Sequence, residues 1–227
     1  MICQTAILFL SSLSRKLQDM TEPAALRLYR FPLSGHSHRA ELMLSLLGLP
    51  AELITVNLPQ KEHKQPAFLA KNRFGQVPVL EDGSFTLADS NAILVYLAER
   101  YDTAHRYYPR EPEARAEIQR WLSVAAGQLA VGPCAARLVR VFAAPLDHEL
   151  AVQKAHELFA LLEAELALRP FLVGSGPTLA DIALYSYTAH APEGDVSLAA
   201  YPAIRAWLSR IEALPGFVPM PQTLPKS

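Results

Sequence analysis

Asn72-Arg73-Phe74-Gly75-Gln76-Val77-Pro78-Val79-Leu80-Glu81-Asp82-Gly83, followed by Leu87-Ala88-Asp89-Ser90-Asn91-Ala92-Ile93, decides how this chain folds. A proline stands immediately before a short apolar strand, and an acid–serine pair then opens a helix. Proline offers no ladder donor and belongs at a strand's first residue, so the segment fixes a special backbone geometry. An X-Pro bond held cis in a tight turn is one such geometry. The peptide of Val77 is then free to hydrogen-bond a ligand's own backbone as a neighbouring strand would. Asp89 and Ser90 add an acceptor and a hydroxyl at a helix start, where Ser90 and the free N–H groups suit a carboxylate. The combination describes a receptor for a peptide-like ligand carrying an ammonium and a carboxylate.

Working outward, Leu26 to Phe31 alternates as a strand does, and Pro32-Leu33-Ser34-Gly35 breaks it. Ser37 to Leu47 has helical apolar spacing, and Gly48 with Pro50 stops it. Ala51 to Leu58 is a second strand, and the intervening helix predicts that the two lie parallel. A charged loop over Gln60 to Gln65 leads to a short helix near Pro66 to Lys71. Val79 to Glu81 and Phe85 to Leu87 flank the hairpin signal Asp82-Gly83. Asn91 to Arg100 is helical. The order strand-helix-strand-helix-strand-strand-helix describes a small α/β unit over residues 26–101, and residues 102–113 read as a linker.

Beyond the linker no segment reads as a strand. Ala114 to Leu129, Asp147 to Leu168, Leu179 to His190 and Ala203 to Leu214 all show helical periodicity, giving an all-helical unit over residues 114–220. Thr178-Leu179-Ala180-Asp181 is a capping box with aspartate in the glutamate position. A cap is worth about 1 kcal/mol to the fold, so Asp181 is read as structural rather than catalytic.

The 227 residues suffice for one large or two small domains, and the formal charge of −1 points to neither nucleic acid nor an anionic membrane as partner. Cys3 and Cys134 are the two cysteines; with no CxxC and no zinc-like spacing, neither a disulfide framework nor a metal is expected. Cys134 reads as a small core residue. That usage fits a reducing, cytoplasmic setting. Residues 1–25 are expected to be a disordered extension, with Met20 a natural start. Ile7-Leu8-Phe9-Leu10 is too short to span a membrane and lacks the flanks of a secretory signal.

Four segments together resemble the glutathione S-transferase family. They are Leu28-Tyr29-Arg30-Phe31-Pro32-Leu33-Ser34-Gly35-His36-Ser37-His38-Arg39, Phe74-Gly75-Gln76-Val77-Pro78-Val79-Leu80, Asp89-Ser90-Asn91-Ala92-Ile93 and the Thr178 box. The likeness runs from about Leu26 to Met220 and is to the serine-type (theta- and phi-like) classes. It implies a thioredoxin-like N-terminal domain, a helical-bundle C-terminal domain, a homodimer and glutathione as cosubstrate, with no metal. Asn91 to Arg100 and Ala114 to Leu129 are the expected interface helices. In the family the proline matching Pro78 is cis, the backbone matching Val77 pairs with the cysteinyl unit, and Asp89, Ser90 and Gln76 match positions that hold the γ-glutamyl end. Lys64 and His63 resemble the basic pair that meets the glycine carboxylate.

The chemical question is how the thiol becomes a thiolate. A free thiol titrates near about 8.5, and a hydroxyl donor or helix-start N–H groups beside the sulfur stabilise the anion. Ser34, between the first strand and first helix, resembles the active serine. Ser37 is an alternative, though it is well placed as the helix N-cap; Tyr29 is another, though it falls within the strand. His36 and His38 lack the acid or cysteine spacing of a general base and read as exposed or capping. The loop holds no cysteine and lacks a Ser-Ser-Cys run, which argues against thiol chemistry by the protein and against maleylacetoacetate isomerisation. Arg73 replaces a proline frequent in relatives.

The resulting expectation is conjugation of glutathione to a small hydrophobic electrophile. That second substrate would lie against Leu33, Gly35 and the helix from Ala114, with Tyr187 and His190 near. Glutathione-dependent peroxide reduction or dehalogenation is an alternative on the same fold, and a non-catalytic binding or regulatory module is a third reading.

Overall fold

The computed structural model describes residues 26–223. The expected extension over residues 1–25, and Cys3 with it, lies outside the described residues. β1 (Leu26–Arg30) buries Leu26 and Leu28 and exposes Arg27, the alternation of a strand with one face on a core. α1 (Gly35–Leu46) carries it to β2 (Ala51–Thr55), which pairs parallel to β1 with Leu28 opposite Leu53. The strand is shorter than the expected Ala51 to Leu58. Asn57 ends it by accepting from the Gln60 amide at 3.1 Å, and Pro59 follows.

A one-turn 3₁₀ segment (Glu62–Lys64) and α2 (Pro66–Leu69) lead to β3 (Val79–Asp82) and β4 (Phe85–Ala88). β3 runs antiparallel to β1, with Leu28 opposite Leu80, and β4 antiparallel to β3, so the sheet order is β2-β1-β3-β4. α3 (Ser90–Tyr101) then packs beside α1 on one face of the sheet. Phe68 of α2 covers Val56 and Val79 on the other face. This is a thioredoxin-like domain.

The rest of the chain is helical: α4 (Pro112–Ala126), α5 (Ala135–Phe142), α6 (His148–Leu168), α7 (Leu179–Ala189) and α8 (Pro202–Glu212). Every residue of α7 from Leu179 to Thr188 is buried, and the helix packs on α1, α3, α4 and α8, making it the axis of the core. One apolar cluster runs through both halves and includes Leu42, Ile93, Ile118, Leu184 and Trp207. Pro112 to Phe142 is long and apolar enough to cross a bilayer, yet half of its most apolar window is buried, and α4 packs on α7.

α5 is absent from the sequence reading. Gly132-Pro133 looks like a helix stop, but the chain passes through it in a single π-helical turn (Ala130–Cys134) and continues. A wide turn accommodates the missing proline N–H and redirects the helix. Asp181, in contrast, is the cap expected: wholly buried, it accepts from the Thr178 amide at 2.8 Å and hydroxyl at 3.0 Å, the Leu172 amide at 2.9 Å and Trp207 Nε1 at 2.9 Å.

Candidate active site

A cleft of about 1030 Å³ opens where the loops of the sheet domain face α5 and α7. One side carries Ser34, His36, His63, Lys64, Gln76, Val77, Pro78, Asp89 and Ser90, and the other Cys134, Arg137, Leu138, Phe142 and Tyr187. Such a volume lies at the upper end of small-ligand pockets, enough for two ligands side by side.

Ser34 caps α1: its backbone is extended (φ −92°, ψ 116°) and its Oγ accepts from the Ser37 amide at 3.3 Å. The cap corrects the expectation that Ser37 plays that role, and α1 begins two residues earlier, at Gly35. The Ser34 oxygen accepts, and among the described residues its hydroxyl donates to no partner, so its proton can point into the cleft. Ser37 is buried, accepts from the Phe31 amide at 3.2 Å and does not line the cleft. Tyr29 is likewise occupied: its hydroxyl donates to Glu81 at 3.1 Å, and its ring packs edge-on against Phe68.

The opposite end of the cleft is built on the start of α3. Asp89 adopts φ +80° as the N-cap, with its carboxylate accepting from the Ala92 amide at 2.9 Å. A non-glycine residue there carries strain of about 1–3 kcal/mol, a feature that clusters at functional sites. Ser90 is buried, and its hydroxyl accepts from Arg39 Nη1 at 3.2 Å and lies 3.3 Å from His36 Nδ1. Arg39 also donates to His36 Nδ1 at 3.1 Å, so that nitrogen is an acceptor and the ring proton sits on Nε2. Burial, and then the Arg39 guanidinium, push His36 down to about 3, leaving it neutral near pH 7. His38 is buried as well, held between Ser186 Oγ and the Val218 carbonyl at 2.8 Å each, and burial lowers it to about 4. Neither histidine is the exposed helix-start residue expected.

Between these ends, the Val77–Pro78 bond is cis, and the β1–β3 ladder begins only at Val79. Gly75 (φ +57°) turns the chain where an added Cβ would lie 2.7 Å from the His63 carbonyl. Asn72 holds the loop from inside, donating to the Gln76 carbonyl at 2.8 Å and accepting from the Phe74 amide at 3.0 Å. Gln76 is exposed. Lys64 reaches the carbonyls of Phe74 at 3.2 Å and Gly75 at 2.8 Å, and His63 is lowered by burial and by Lys64.

The helical wall differs from the expected one. α4 does not line the cleft; the π turn delivers Cys134, Arg137, Leu138 and Phe142 instead. Tyr187 lines it and His190 does not. Cys134 is buried, as expected of a core residue, but it also faces the cleft, and burial pushes its thiol up, away from a reactive thiolate. Among the described residues no three His, Cys, Asp or Glu side chains converge as a metal site. Arg39, Asn72 and Arg137 escaped the sequence reading. Arginine is ordinarily exposed, and the signal that marks these two is their burial.

A thioredoxin-like domain presents a capping serine to a cleft walled by an all-helical domain, a two-domain arrangement that can hold small molecules between its halves. Residues 24–99 match the family profile described as glutathione S-transferase, N-terminal domain, and residues 146–215 match glutathione S-transferase, C-terminal domain. The chain is 35% identical to glutathione S-transferase 3 of Zea mays over 86% of its own length and 92% of that protein's. It is 33% identical to glutathione S-transferase theta-2 of Homo sapiens, covering 74% and 73% of the two. The crystal structure of a glutathione S-transferase from Pseudomonas fluorescens superposes with a TM-score of 0.82 at 33% identity, covering 87% of this chain and 99% of that one. The chain belongs to the glutathione S-transferase family.

Proposed function

We propose that the cleft binds glutathione and that Ser34 donates a hydrogen bond to its sulfur, so that the thiolate attacks an electrophilic carbon of a small hydrophobic second substrate. The observation that carries this reading is the Ser34 cap: its oxygen accepts from the Ser37 amide, its proton has no acceptor among the described residues, and it lines the cleft at the start of α1. That placement supports Ser34 over Ser37 and Tyr29, which do not line the cleft and whose hydroxyls are engaged with the Phe31 amide and Glu81. The N-terminal dipole of α1 adds to the stabilisation of an anion there. Val77 backbone, Gln76, Asp89 and Ser90 then take the peptide and γ-glutamyl portions, and Lys64 with His63 the glycine carboxylate. Leu33, Leu138, Phe142 and Tyr187 form the apolar wall for the electrophile, and holding the two reactants in line supplies several kcal/mol of the rate enhancement.

Residues 26–101 form the glutathione domain in this reading and residues 114–220 the domain that receives the electrophile. The protein works as a cytoplasmic homodimer. Its interface in this reading lies on the helices Asn91 to Arg100 and Ala114 to Leu129, and Phe74, 81% exposed at the rim of the cleft, offers one more apolar side chain to a second copy. The experiment is retention on immobilised glutathione followed by turnover of a generic aryl halide. Retention with turnover is expected. Retention without turnover would mean a binding module, and no retention would reject the glutathione site.

A further inference from the structure

Arg137, in the first turn of α5, lines the cleft with a side chain only 1% exposed. Its nitrogens have separate tasks. Nε pairs with Glu193 at 2.7 Å, Nη1 donates to the Leu33 carbonyl at 2.8 Å, and Nη2 has no partner among the described residues. Leu33 lies 104 positions earlier in the chain and directly precedes Ser34. The other restraints on Ser34 come from the same strand–helix turn: the Ser37 amide on its Oγ and its own amide donating to the Phe31 carbonyl at 2.9 Å. Arg137 ties that turn to the other domain.

Glu193 is held in its own right. It accepts from His190 Nδ1 at 2.7 Å, from the Thr223 amide at 3.1 Å and from the Thr223 hydroxyl. It sits in the 3₁₀ turn Ala191–Gly194, which presses so closely on α5 that a Cβ on Gly194 would lie 2.5 Å from the Arg137 amide nitrogen. A continuous series of contacts therefore runs from Thr223 through Glu193, Arg137 and Leu33 to Ser34. Burying an ion pair is expensive in desolvation, and an apolar pair of equal volume would stabilise the fold as well or better. What an apolar pair cannot do is grip a carbonyl at a fixed distance and angle.

We infer that Arg137 is a positioning residue for the thiol chemistry: its fork fixes the Leu33 carbonyl, and with it the Ser34 hydroxyl, at a place set by Glu193 and the C-terminal tail. The inference rests on the reading of Ser34 as the sulfur's partner. It assigns the tail a share in catalysis without contact with either substrate.

Two measurements on the full chain test it, with Arg137→Lys, Arg137→Met, Thr223→Val and Ser34→Ala. The first uses no ligand. Amide hydrogen exchange over residues 33–38 accelerates in both Arg137 variants and, to a smaller degree, in Thr223→Val, while α7 keeps its protection. Unchanged exchange in all three variants would overturn the inference whatever the cleft binds. Thr223→Val, at the surface end of the series, keeps the test available if an Arg137 variant does not fold.

The second reads the thiol of bound glutathione by its ultraviolet thiolate absorbance. Arg137→Lys retains the charge and the reach to Glu193 but cannot fork to Leu33 as well. It is expected to raise the thiol pKa by about half to one unit, a three- to tenfold loss of thiolate below that pKa. In the Ser34→Ala background the same change is expected to add nothing, because its effect passes through Ser34. Full retention of the parent pKa in Arg137→Lys would show that the fork to Leu33 does not set the thiol, an additive effect in the double variant would show that its effect bypasses Ser34, and either would overturn the inference. If Ser34→Ala alone leaves the thiol unmoved, the reading of Ser34 fails, and exchange over residues 33–38 still decides whether the fork holds the loop.

Discussion

Replacing Asp181 separates stability from chemistry at a site remote from the cleft. Its carboxylate takes four hydrogen bonds in complete burial: from the amides of Leu172 and Thr178, the Thr178 hydroxyl and Trp207 Nε1. In Asp181→Ala the hydroxyl turns to another acceptor, but three buried N–H groups lose theirs. Each unsatisfied donor costs about 1–3 kcal/mol, and removing the carboxylate returns part of its desolvation penalty, so the net loss is about 3–5 kcal/mol. Set against a typical stability of about 5–15 kcal/mol, that is a large fraction. Asp181→Asn keeps one carbonyl oxygen for Leu172 and Trp207 but turns an NH₂ toward the Thr178 amide, for a loss of about 1–3 kcal/mol. The assay is urea unfolding followed by fluorescence of Trp121 and Trp207 at fixed protein concentration, since subunit association would shift the midpoint. Turnover per folded molecule should be unchanged. A loss under about 1 kcal/mol in Asp181→Ala, or equal losses in the two variants, would refute the account of Asp181 as a buried cap satisfying four donors.

Further outcomes follow from single side chains. Burial lowers His38 from 6.5 to about 4 in the folded chain, so below pH 6.5 the unfolded state binds the extra proton and stability falls with acid until about pH 4. His38→Asn should flatten the stability profile in that window by about 1.4 kcal/mol per pH unit, measured by urea unfolding at several pH values; an unchanged slope would contradict the buried neutral imidazole. Gly75→Ala places a Cβ 2.7 Å from the His63 carbonyl at φ +57° and should raise KM for glutathione about tenfold with a smaller change in kcat, read from initial rates. If the chain forms the proposed homodimer, Phe74→Ser should weaken it in sedimentation velocity; an unaltered dimer would take Phe74 out of the interface.

Much of the fold was legible because its signals are local. Gly48 and Pro50 end α1, Asp82-Gly83 marks the β3–β4 hairpin, and Thr178 with Asp181 announces α7. The motif residues from Gln76 to Ser90 do share one cleft with Ser34. Two classes of feature stayed hidden. One is the helix that continues through a proline: Gly132-Pro133 carries every sign of a stop, and only packing against α6 makes the π turn and α5 worthwhile. The other is the buried charge. Arg39, Arg137 and Glu193 look like surface residues, and their roles come from partners 51, 104 and 56 positions away. The two serines of the turn illustrate the limit: both suit an N-cap by composition, and the choice of Ser34 depends on where β1 releases the chain.

The central claim is that Ser34 stabilises a glutathione thiolate, and titrating the thiolate absorbance of bound glutathione in the parent and in Ser34→Ala tests it most directly. The account predicts a thiol pKa well below the free value of about 8.5 in the parent, rising by about one to two units in Ser34→Ala while glutathione still binds. The same pKa in both proteins, with glutathione bound, would contradict it.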